Sequence, residues 1–167
     1  MRQPEPPQPT TTDIEMMERA IELAQQSRDA GEVPVGAIVY NTLTGEIVAQ
    51  AHNTADMLNN PAGHAEFSAI QSACNSIGDW RLNDCTLVST FEPCPMCAGL
   101  IVNARVGRLI YGVSNPKAGA VRSLFNLCNY TRLNHRCEIH TGVLGDRCSD
   151  QLCTFFRDPR AVFNSNG

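Results

Sequence analysis

Two short segments constrain the fold of this chain most: His-Ala-Glu at residues 64–66 and Pro-Cys-Pro-Met-Cys at residues 93–97. Histidine and cysteine bind zinc through nitrogen and sulfur, and a catalytic zinc takes three protein ligands and leaves a fourth position for water. His64, Cys94 and Cys97 supply three such ligands. Any fold that this chain adopts must therefore bring the two segments together around one metal ion.

The spacing of the two cysteines suits the first turn of a helix, which we predict over residues 93–104. Cys94 and Cys97 are three positions apart and so lie on one face of that turn. A helix N-terminus favours the thiolate form that a metal needs. Pro95 is tolerated there because a residue in the first turn needs no amide hydrogen. We therefore expect two thiolate ligands.

Glu66 lies two residues from a predicted ligand, which places its carboxylate beside the metal without making it a ligand. Two thiolates offset the charge of Zn²⁺, and the ion still lowers the pKa of its bound water. Glu66 can accept the proton of that water and pass it to the substrate. The sequence therefore predicts one zinc per chain and Glu66 as the catalytic acid and base.

A lone C-x-x-C pair has other interpretations, namely a redox pair or half of a structural zinc site. A structural site needs four protein ligands, and the remaining six cysteines form no second C-x-x-C. We expect these six to act as small apolar residues in helices and strands: Cys74, Cys85, Cys128, Cys137, Cys148 and Cys153. H-x-E followed by P-C-x-x-C is a signature of zinc nucleobase deaminases, which favours catalytic zinc.

Strands alternate with helices along the chain. Apolar spacing predicts a helix over residues 13–30, with Thr12 as its N-cap and Glu15 completing a capping box. A hairpin of strands 35–40 and 47–51 follows. The later elements are a helix from about His64 through residue 73, strand 86–90, helix 93–104, strand 108–112, short helix 122–127, strand 138–141 and helix 146–156. This alternation predicts an α/β sheet that is covered on both faces.

The 167 residues suit one domain, predicted over residues 13–157. Residues 1–12 contain four prolines and lack the apolar centre of a signal peptide, so a disordered tail is expected. Residues 158–167 form a predicted C-terminal tail. No run approaches the roughly 18 apolar residues that span a bilayer. A cytoplasmic protein with no membrane partner and mostly reduced cysteines is therefore expected.

Charge is distributed unevenly along the chain. Residues 1–100 hold 4 basic and 13 acidic side chains, a balance of −9, whereas residues 101–167 hold 9 basic and 4 acidic, a balance of +5. Such asymmetry can attract a polyanion despite a net charge of −4. A scattered set of solvated arginines explains the same numbers equally well.

Further segments narrow the class beyond the metal motif. They include Pro116-Lys117, Asn134-His135 and Phe-Phe-Arg at residues 155–157. With these segments, residues 14–157 resemble the bacterial tRNA-specific adenosine deaminases of the cytidine deaminase-like superfamily. The resemblance implies a three-layer α/β/α fold with a five-stranded mixed sheet between helices. It also implies a homodimer whose substrate is the wobble adenosine of a tRNA anticodon stem-loop, which is converted to inosine.

The resemblance also implies roles for single residues in substrate binding. Asn53 would hydrogen-bond the flipped nucleoside, and Val35 with the Ala65 backbone would line the base pocket. Lys117 would meet the RNA backbone. Flanking nucleotides would lie against the last set, because aromatic stacking is the usual contact to single-stranded RNA: Phe155, Phe156 and Arg157. The alternative for the two phenylalanines is a core position at a helix end, which we expect for one of them.

The zinc motif and this resemblance together predict hydrolytic deamination of adenosine 34 in tRNA. Zinc-bound hydroxide would attack C6, and Glu66 would protonate N1 and then the departing amine. One alternative is a deaminase of free guanine, cytosine or a nucleoside that uses the same site. Another is a non-catalytic, zinc-bearing subunit that only binds RNA. Glu66 argues against the last, because such a subunit needs no proton shuttle.

Overall fold

A computed structural model of the protein describes residues 8–160. Its helices are α1 (Thr11–Asp29), α2 (Ala65–Ile77), α3 (Pro95–Asn103) and α4 (Gly145–Arg157). Its strands are β1 (Gly36–Asn41), β2 (Ile47–His52), β3 (Cys85–Phe91), β4 (Arg108–Val113) and β5 (Glu138–Thr141). No helix within residues 8–160 is long and apolar enough to cross a membrane. Residues 1–7 and 161–167, from the two predicted tails, lie outside the described residues.

The five strands form one mixed sheet in the order β2-β1-β3-β4-β5. β1 is antiparallel to both β2 and β3, whereas β3, β4 and β5 run parallel. The carboxyl ends of the parallel strands therefore share one edge of the sheet. The segment that follows β3 at this edge begins with Glu92 and contains Cys94 and Cys97.

Both faces of the sheet are buried, as the alternation predicted. On one face Val39, Leu87 and Leu109 belong to a core cluster that also contains side chains of α2 and α3. Their strand neighbours belong to a second cluster with side chains of α1 and α4: Ile38, Val88 and Ile110. Adjacent strand residues point to opposite faces, so three apolar strands supply two cores at once. This arrangement confirms the predicted three-layer α/β/α fold.

The prediction for the start of α1 was wrong by two residues. Thr10 is the N-cap: its hydroxyl accepts the Asp13 amide at 3.1 Å, and the Asp13 carboxylate accepts the Thr10 amide at 2.8 Å. Asp13 rather than Glu15 therefore completes the capping box. Thr11 and Thr12, which were assigned to the disordered tail, are helical.

A buried network of charged and polar side chains explains why α1 begins at Thr11. Arg108 on β4 donates through Nη1 and Nη2 to the two Asp13 oxygens, both at 3.1 Å. The Tyr40 hydroxyl, from the end of β1, donates to the same carboxylate at 2.5 Å. Asp13 itself has no exposed surface. Because a bidentate arginine fixes carboxylate geometry, this network holds the first turn of α1 against the amino ends of β3 and β4.

The predicted helix over residues 122–127 was also wrong. Residues 120–123 form turns, and a short 3-10 helix follows at Leu127–Asn129. The amides of Val121, Arg122 and Ser123 all donate to the Glu92 carboxylate, which bends the backbone around a single acceptor. Apolar spacing carried no information about this acceptor, which lies about 30 residues earlier in the chain.

Candidate active site

The two predicted metal-binding segments meet beside the carboxyl ends of β3 and β4. His64 is the N-cap residue of α2, and Cys94 is the N-cap residue of α3. α3 therefore starts at Pro95, two residues later than predicted. Neither cap residue uses its side chain to cap its own helix. Both side chains are therefore left available to a ligand.

The three predicted ligands lie close enough to share one ion. His64 Nδ1 is 3.5 Å from the Cys94 sulfur and 3.7 Å from the Cys97 sulfur. All three ligand atoms lie within 4.8 Å of one another. Tetrahedral zinc with Zn–N of about 2.0–2.1 Å and Zn–S of about 2.3 Å requires N···S separations of about 3.6 Å. The donor set and its spacing therefore fit Zn²⁺.

The two thiols of this cluster differ in acidity. The hydrogen bond from the Cys97 thiol, with help from His64, lowers the Cys94 pKa to about 4. The same Cys94 contact, together with burial, raises the Cys97 pKa. A divalent cation bound here would be held by two thiolates, since metal-bound cysteine is a thiolate.

Glu66 lies in the first turn of α2, beside the cluster. Its carboxylate oxygen is 3.9 Å from the Cys97 sulfur, and only 4% of the residue is exposed. Burial raises the Glu66 pKa to about 6. A carboxyl group that titrates near neutral pH is suited to both accepting and donating a proton.

A pocket of about 200 Å³ opens onto these groups. The predicted base-pocket residues Val35, Asn53 and Ala65 all line it, together with His64 and Cys94. The predicted catalytic residue Glu66 also lines it. Five further lining residues were not predicted as site residues: Val33, Phe91, Glu92, Asn115 and Ala118. A larger depression of about 580 Å³ lies at the opposite edge of the sheet, near the start of β3, away from the cluster.

Asn53 is held in place by the backbone around it. Its Nδ2 donates to the Val33 carbonyl at 3.2 Å, and its Oδ1 accepts the Ala55 amide at 3.2 Å. A side-chain amide has two donor hydrogens and two acceptor lone pairs, so one of each remains. The Asn53 side chain is therefore oriented before any ligand arrives.

Two buried carboxylates hold the loops beside the pocket. Glu32 accepts the amides of Asp56 and Met57 in the loop that follows Asn53. Glu92 accepts several amides of the loop that follows β4. Burial favours a higher pKa for Glu92, but these donors and the Ser123 hydroxyl hold the pKa below its usual range. Sequence reasoning missed both residues as site residues, although Glu92 directly precedes the cysteine motif.

The predicted RNA-contact residues lie outside the pocket lining. Lys117 is exposed and lies between Asn115 and Ala118, which do line the pocket. Phe156 is 57% exposed, whereas Phe155 is 6% exposed, so one of the two is a core residue as expected. Arg157 is exposed at the end of α4. These contacts stay predictions.

The other six cysteines are unpaired. Four of them are buried, as expected for small apolar residues: Cys85, Cys128, Cys137 and Cys148. Cys74 is half-buried and Cys153 is exposed. Among the described residues, the one histidine-cysteine cluster found with metal-binding spacing is the one at His64. The alternative of a four-ligand structural zinc site therefore gains no support from residues 8–160.

The fold and the cluster together define a deaminase, and a family model described as MafB19-like deaminase matches residues 11–157. The tRNA-specific adenosine deaminase of Bacillus subtilis is 42% identical over 150 residues, covering 90% of this chain and 92% of that protein. The chain belongs to the family of tRNA-specific adenosine deaminases.

Solved structures agree with this placement. One from a study of A-to-I editing by tRNA:A34 deaminases at the wobble position of transfer RNA superposes with a TM-score of 0.78. It is 34% identical, and the match covers 83% of this chain and 99% of that one. Guanine deaminase from Bacillus subtilis matches less fully, with a TM-score of 0.56 and 37% identity over 60% of this chain and 63% of that one.

Proposed function

We propose that this protein converts the wobble adenosine of a tRNA anticodon to inosine by hydrolytic deamination, with one zinc ion per chain. The observation that carries the proposal is the cluster of His64, Cys94 and Cys97 with Glu66 beside one small pocket. The pocket of about 200 Å³ is below the ~300–1,000 Å³ of sites for drug-sized ligands, which favours a single base. Membership of the tRNA-specific adenosine deaminases supports adenosine in tRNA as the substrate.

Zinc would be held by His64 Nδ1 and the two cysteine sulfurs, whose spacing fits tetrahedral coordination. When bound, zinc supplies Lewis-acid activation of a water molecule at neutral pH. Replacing Cys94 with serine should remove most of the roughly one equivalent of zinc per chain from the purified protein, since a neutral hydroxyl is a poor zinc ligand. Metal analysis measures this directly. Unchanged zinc content in Cys94→Ser would disprove the ligand assignment.

Glu66 moves the protons in this scheme. Its carboxylate accepts a proton from the attacking water and delivers it to N1 of adenine as the new C6–O bond forms. The second proton of the water then passes by way of Glu66 to the C6 amine, and the C6–N bond breaks to release ammonia. The pKa of about 6 for Glu66 allows its carboxyl group to both take and give these protons.

RNA recognition follows from the small pocket and the exposed residues near it. Because the pocket admits one base, the target nucleotide must leave the stack, which costs least in a single-stranded loop. Val35 and the Ala65 backbone would contact that base, and Asn53 would hydrogen-bond its nucleoside. The phosphate and stacking contacts to the anticodon loop would come from the exposed set: Lys117, Phe156 and Arg157. Phe155, a buried neighbour, would support Phe156, since their rings pack edge-to-face at 5.3 Å.

The working assembly in this proposal is a homodimer in the cytoplasm, where tRNA substrates are found. Exposed apolar side chains on the loop before α2 and at the start of α3 support a partner surface: Met57, Leu58 and Met96. Exposed apolar side chains that form one contiguous patch commonly mark protein interfaces. Residues 11–157, which the family model matches, would form the deaminase domain.

A second candidate is a deaminase of free guanine or another free base. The partial match to Bacillus subtilis guanine deaminase favours it, because that chain shares 37% identity over the matched region. Inosine formation in a tRNA anticodon stem-loop should be compared with ammonia release from free bases and nucleosides. We expect turnover of the stem-loop and little turnover of free guanine, cytosine or adenosine. Efficient turnover of a free base with an inert stem-loop would select the second candidate.

A further inference from the structure

Glu92 is a buried carboxylate that accepts hydrogen bonds from the loop of residues 115–123. It lies between β3 and α3 and is 1% exposed. It accepts the amides of Asn115 at 2.9 Å, Val121 at 3.1 Å, Arg122 at 2.8 Å and Ser123 at 2.9 Å. The Ser123 hydroxyl also donates to it. Five donors from a nine-residue stretch therefore converge on one side chain.

These donors give the loop over residues 115–123 its shape. Backbone amides that converge on one point form a binding site for an anion, as in other anion-binding loops. The turns that replace the predicted helix at residues 122–127 are the ones that donate to Glu92. Without this carboxylate, three adjacent amides would lose their shared acceptor.

Gly119 shows how closely the loop approaches the carboxylate. A Cβ atom at this position would lie 2.3 Å from Glu92 Oε2 and 2.4 Å from Glu92 Cδ. It would also lie 2.6 Å from the Asn115 carbonyl oxygen. Only a glycine lets the loop close on Glu92 without a shift of the backbone. The position of this loop therefore requires both the Glu92 carboxylate and a glycine at residue 119.

The same loop carries two residues of the pocket lining and one predicted RNA contact. Asn115 and Ala118 line the pocket, and exposed Lys117 lies between them. The Asn115 side chain also accepts the amides of Lys117 and Ala118, which makes this part of the loop one unit. A loop that moves away from Glu92 would displace both the pocket wall and the lysine.

We infer that Glu92 is a positioning residue that sets substrate affinity by holding the loop of residues 115–123 in place. This loop contributes to the pocket wall and carries Lys117. The inference rests on the proposed function for its kinetic part, whereas its structural part is independent of the substrate. Glu92 acts through the loop and leaves proton transfer to Glu66.

The structural part is tested by amide hydrogen exchange on the zinc-containing full-length protein. In Glu92→Gln the new NH₂ group faces amides that had a charged acceptor, and charged acceptors form the stronger hydrogen bonds. Exchange across residues 121–123 should accelerate by about tenfold or more. Gly119→Ala, which retains the Glu92 carboxylate but crowds it, should loosen the same amides. Both variants should retain one zinc per chain and unchanged exchange in β3.

The kinetic part is tested with an anticodon stem-loop. Both variants should raise KM by about tenfold and change kcat by less than about threefold, because the loop acts on binding and not on the proton transfer. Ser123→Ala removes one donor of five and should raise KM by only about twofold. Asp13→Asn alters a buried carboxylate at the other edge of the sheet. It should lower stability and leave KM and the exchange of residues 121–123 unchanged.

Normal exchange at residues 121–123 in both Glu92→Gln and Gly119→Ala would overturn the inference, and so would a loosened loop with an unchanged KM. Should one variant fail to fold, the other decides. A wild-type protein that deaminates no stem-loop would instead refute the proposed function. The exchange data would then decide on their own whether Glu92 holds the loop.

Discussion

Buried carboxylates have different partners at the two ends of the parallel strands. At the amino ends of β3 and β4, Asp13 is paired with Arg108 and receives the Tyr40 hydroxyl. At the carboxyl ends, no lysine or arginine side chain of the described residues hydrogen-bonds Glu66 or Glu92, and Arg122 reaches Glu92 only through its backbone amide. The first edge is neutralised within the protein, whereas the second keeps negative charge facing a pocket. Ligands of open α/β sheets bind at the carboxyl edge, and here that edge also holds the charge that a metal needs.

The pKa values of two buried carboxyl groups show the same contrast. Burial alone would raise the pKa of Asp13, but Arg108 and Tyr40 lower it to about 2. Burial raises the pKa of Glu66 to about 6, with no cationic side chain other than His64 acting against it. Asp13 is therefore fixed as a carboxylate that stabilises the fold. Glu66 can change protonation state near neutral pH, as catalysis requires.

The largest expected effect is at Glu66. Glu66→Gln should lower turnover of the stem-loop by ~10⁴-fold or more, the upper end of what general acid–base groups contribute. Zinc content and the thermal unfolding midpoint should change little, because the glutamine has nearly the same size. Single-turnover inosine assays and metal analysis measure the two effects. Near-normal turnover in this variant would refute Glu66 as the proton shuttle.

At the opposite edge, Asp13→Asn should act on stability alone. Removing one partner of a buried ion pair leaves Arg108 without its counter-charge and should lower the free energy of unfolding by about 3 kcal/mol. Urea denaturation measures this loss. Turnover at saturating stem-loop should stay within about twofold of wild type. A large loss of turnover with normal stability would remove the distinction between the two edges.

The Asp13–Arg108 pair also predicts how the free energy of unfolding depends on pH. The Asp13 pKa is lowered from 3.8 to about 2 on folding, so its contribution to stability is present above about pH 4 and is lost as pH falls towards 2. The difference in unfolding free energy between wild type and Asp13→Asn should shrink by about 2 kcal/mol over that window. A difference that is constant from pH 5 to pH 2 would contradict the paired-carboxylate account.

Smaller effects are expected where the pocket edge meets RNA. Lys117→Ala should weaken stem-loop binding and reduce the salt slope of log K by about one unit, since it removes one phosphate contact.

Phe156→Ala should cost about 1–3 kcal/mol of binding through lost stacking, with the salt slope unchanged. Arg81→Ala, an exposed cation near the far edge of the sheet, is the matched control and should leave binding unchanged. Wild-type titration curves for both Lys117→Ala and Phe156→Ala would place the RNA elsewhere.

The sequence predicted the reactive cluster better than the loops that support it. His64, Cys94 and Cys97 could be found because ligand type and local spacing are properties of short segments. The start of α1 was missed because Asp13 is fixed by Arg108, which lies far along the chain. The loop of residues 115–123 was missed for the same reason. Its apolar spacing predicted a helix over residues 122–127, but its amides bond to Glu92, which comes near only in the folded chain. Long-range polar contacts leave no periodic pattern to read.

In the proposed function, the site at the carboxyl edge of the sheet deaminates one adenosine in a tRNA anticodon loop. Two stem-loops test it most directly: one with its only loop adenosine at the wobble position, and one with guanosine there and a single adenosine at the next position. Inosine is then quantified after digestion, with Glu66→Gln as the blank. The account predicts inosine in the first stem-loop and none above the blank in the second. Equal conversion of both, or conversion of neither, would contradict it.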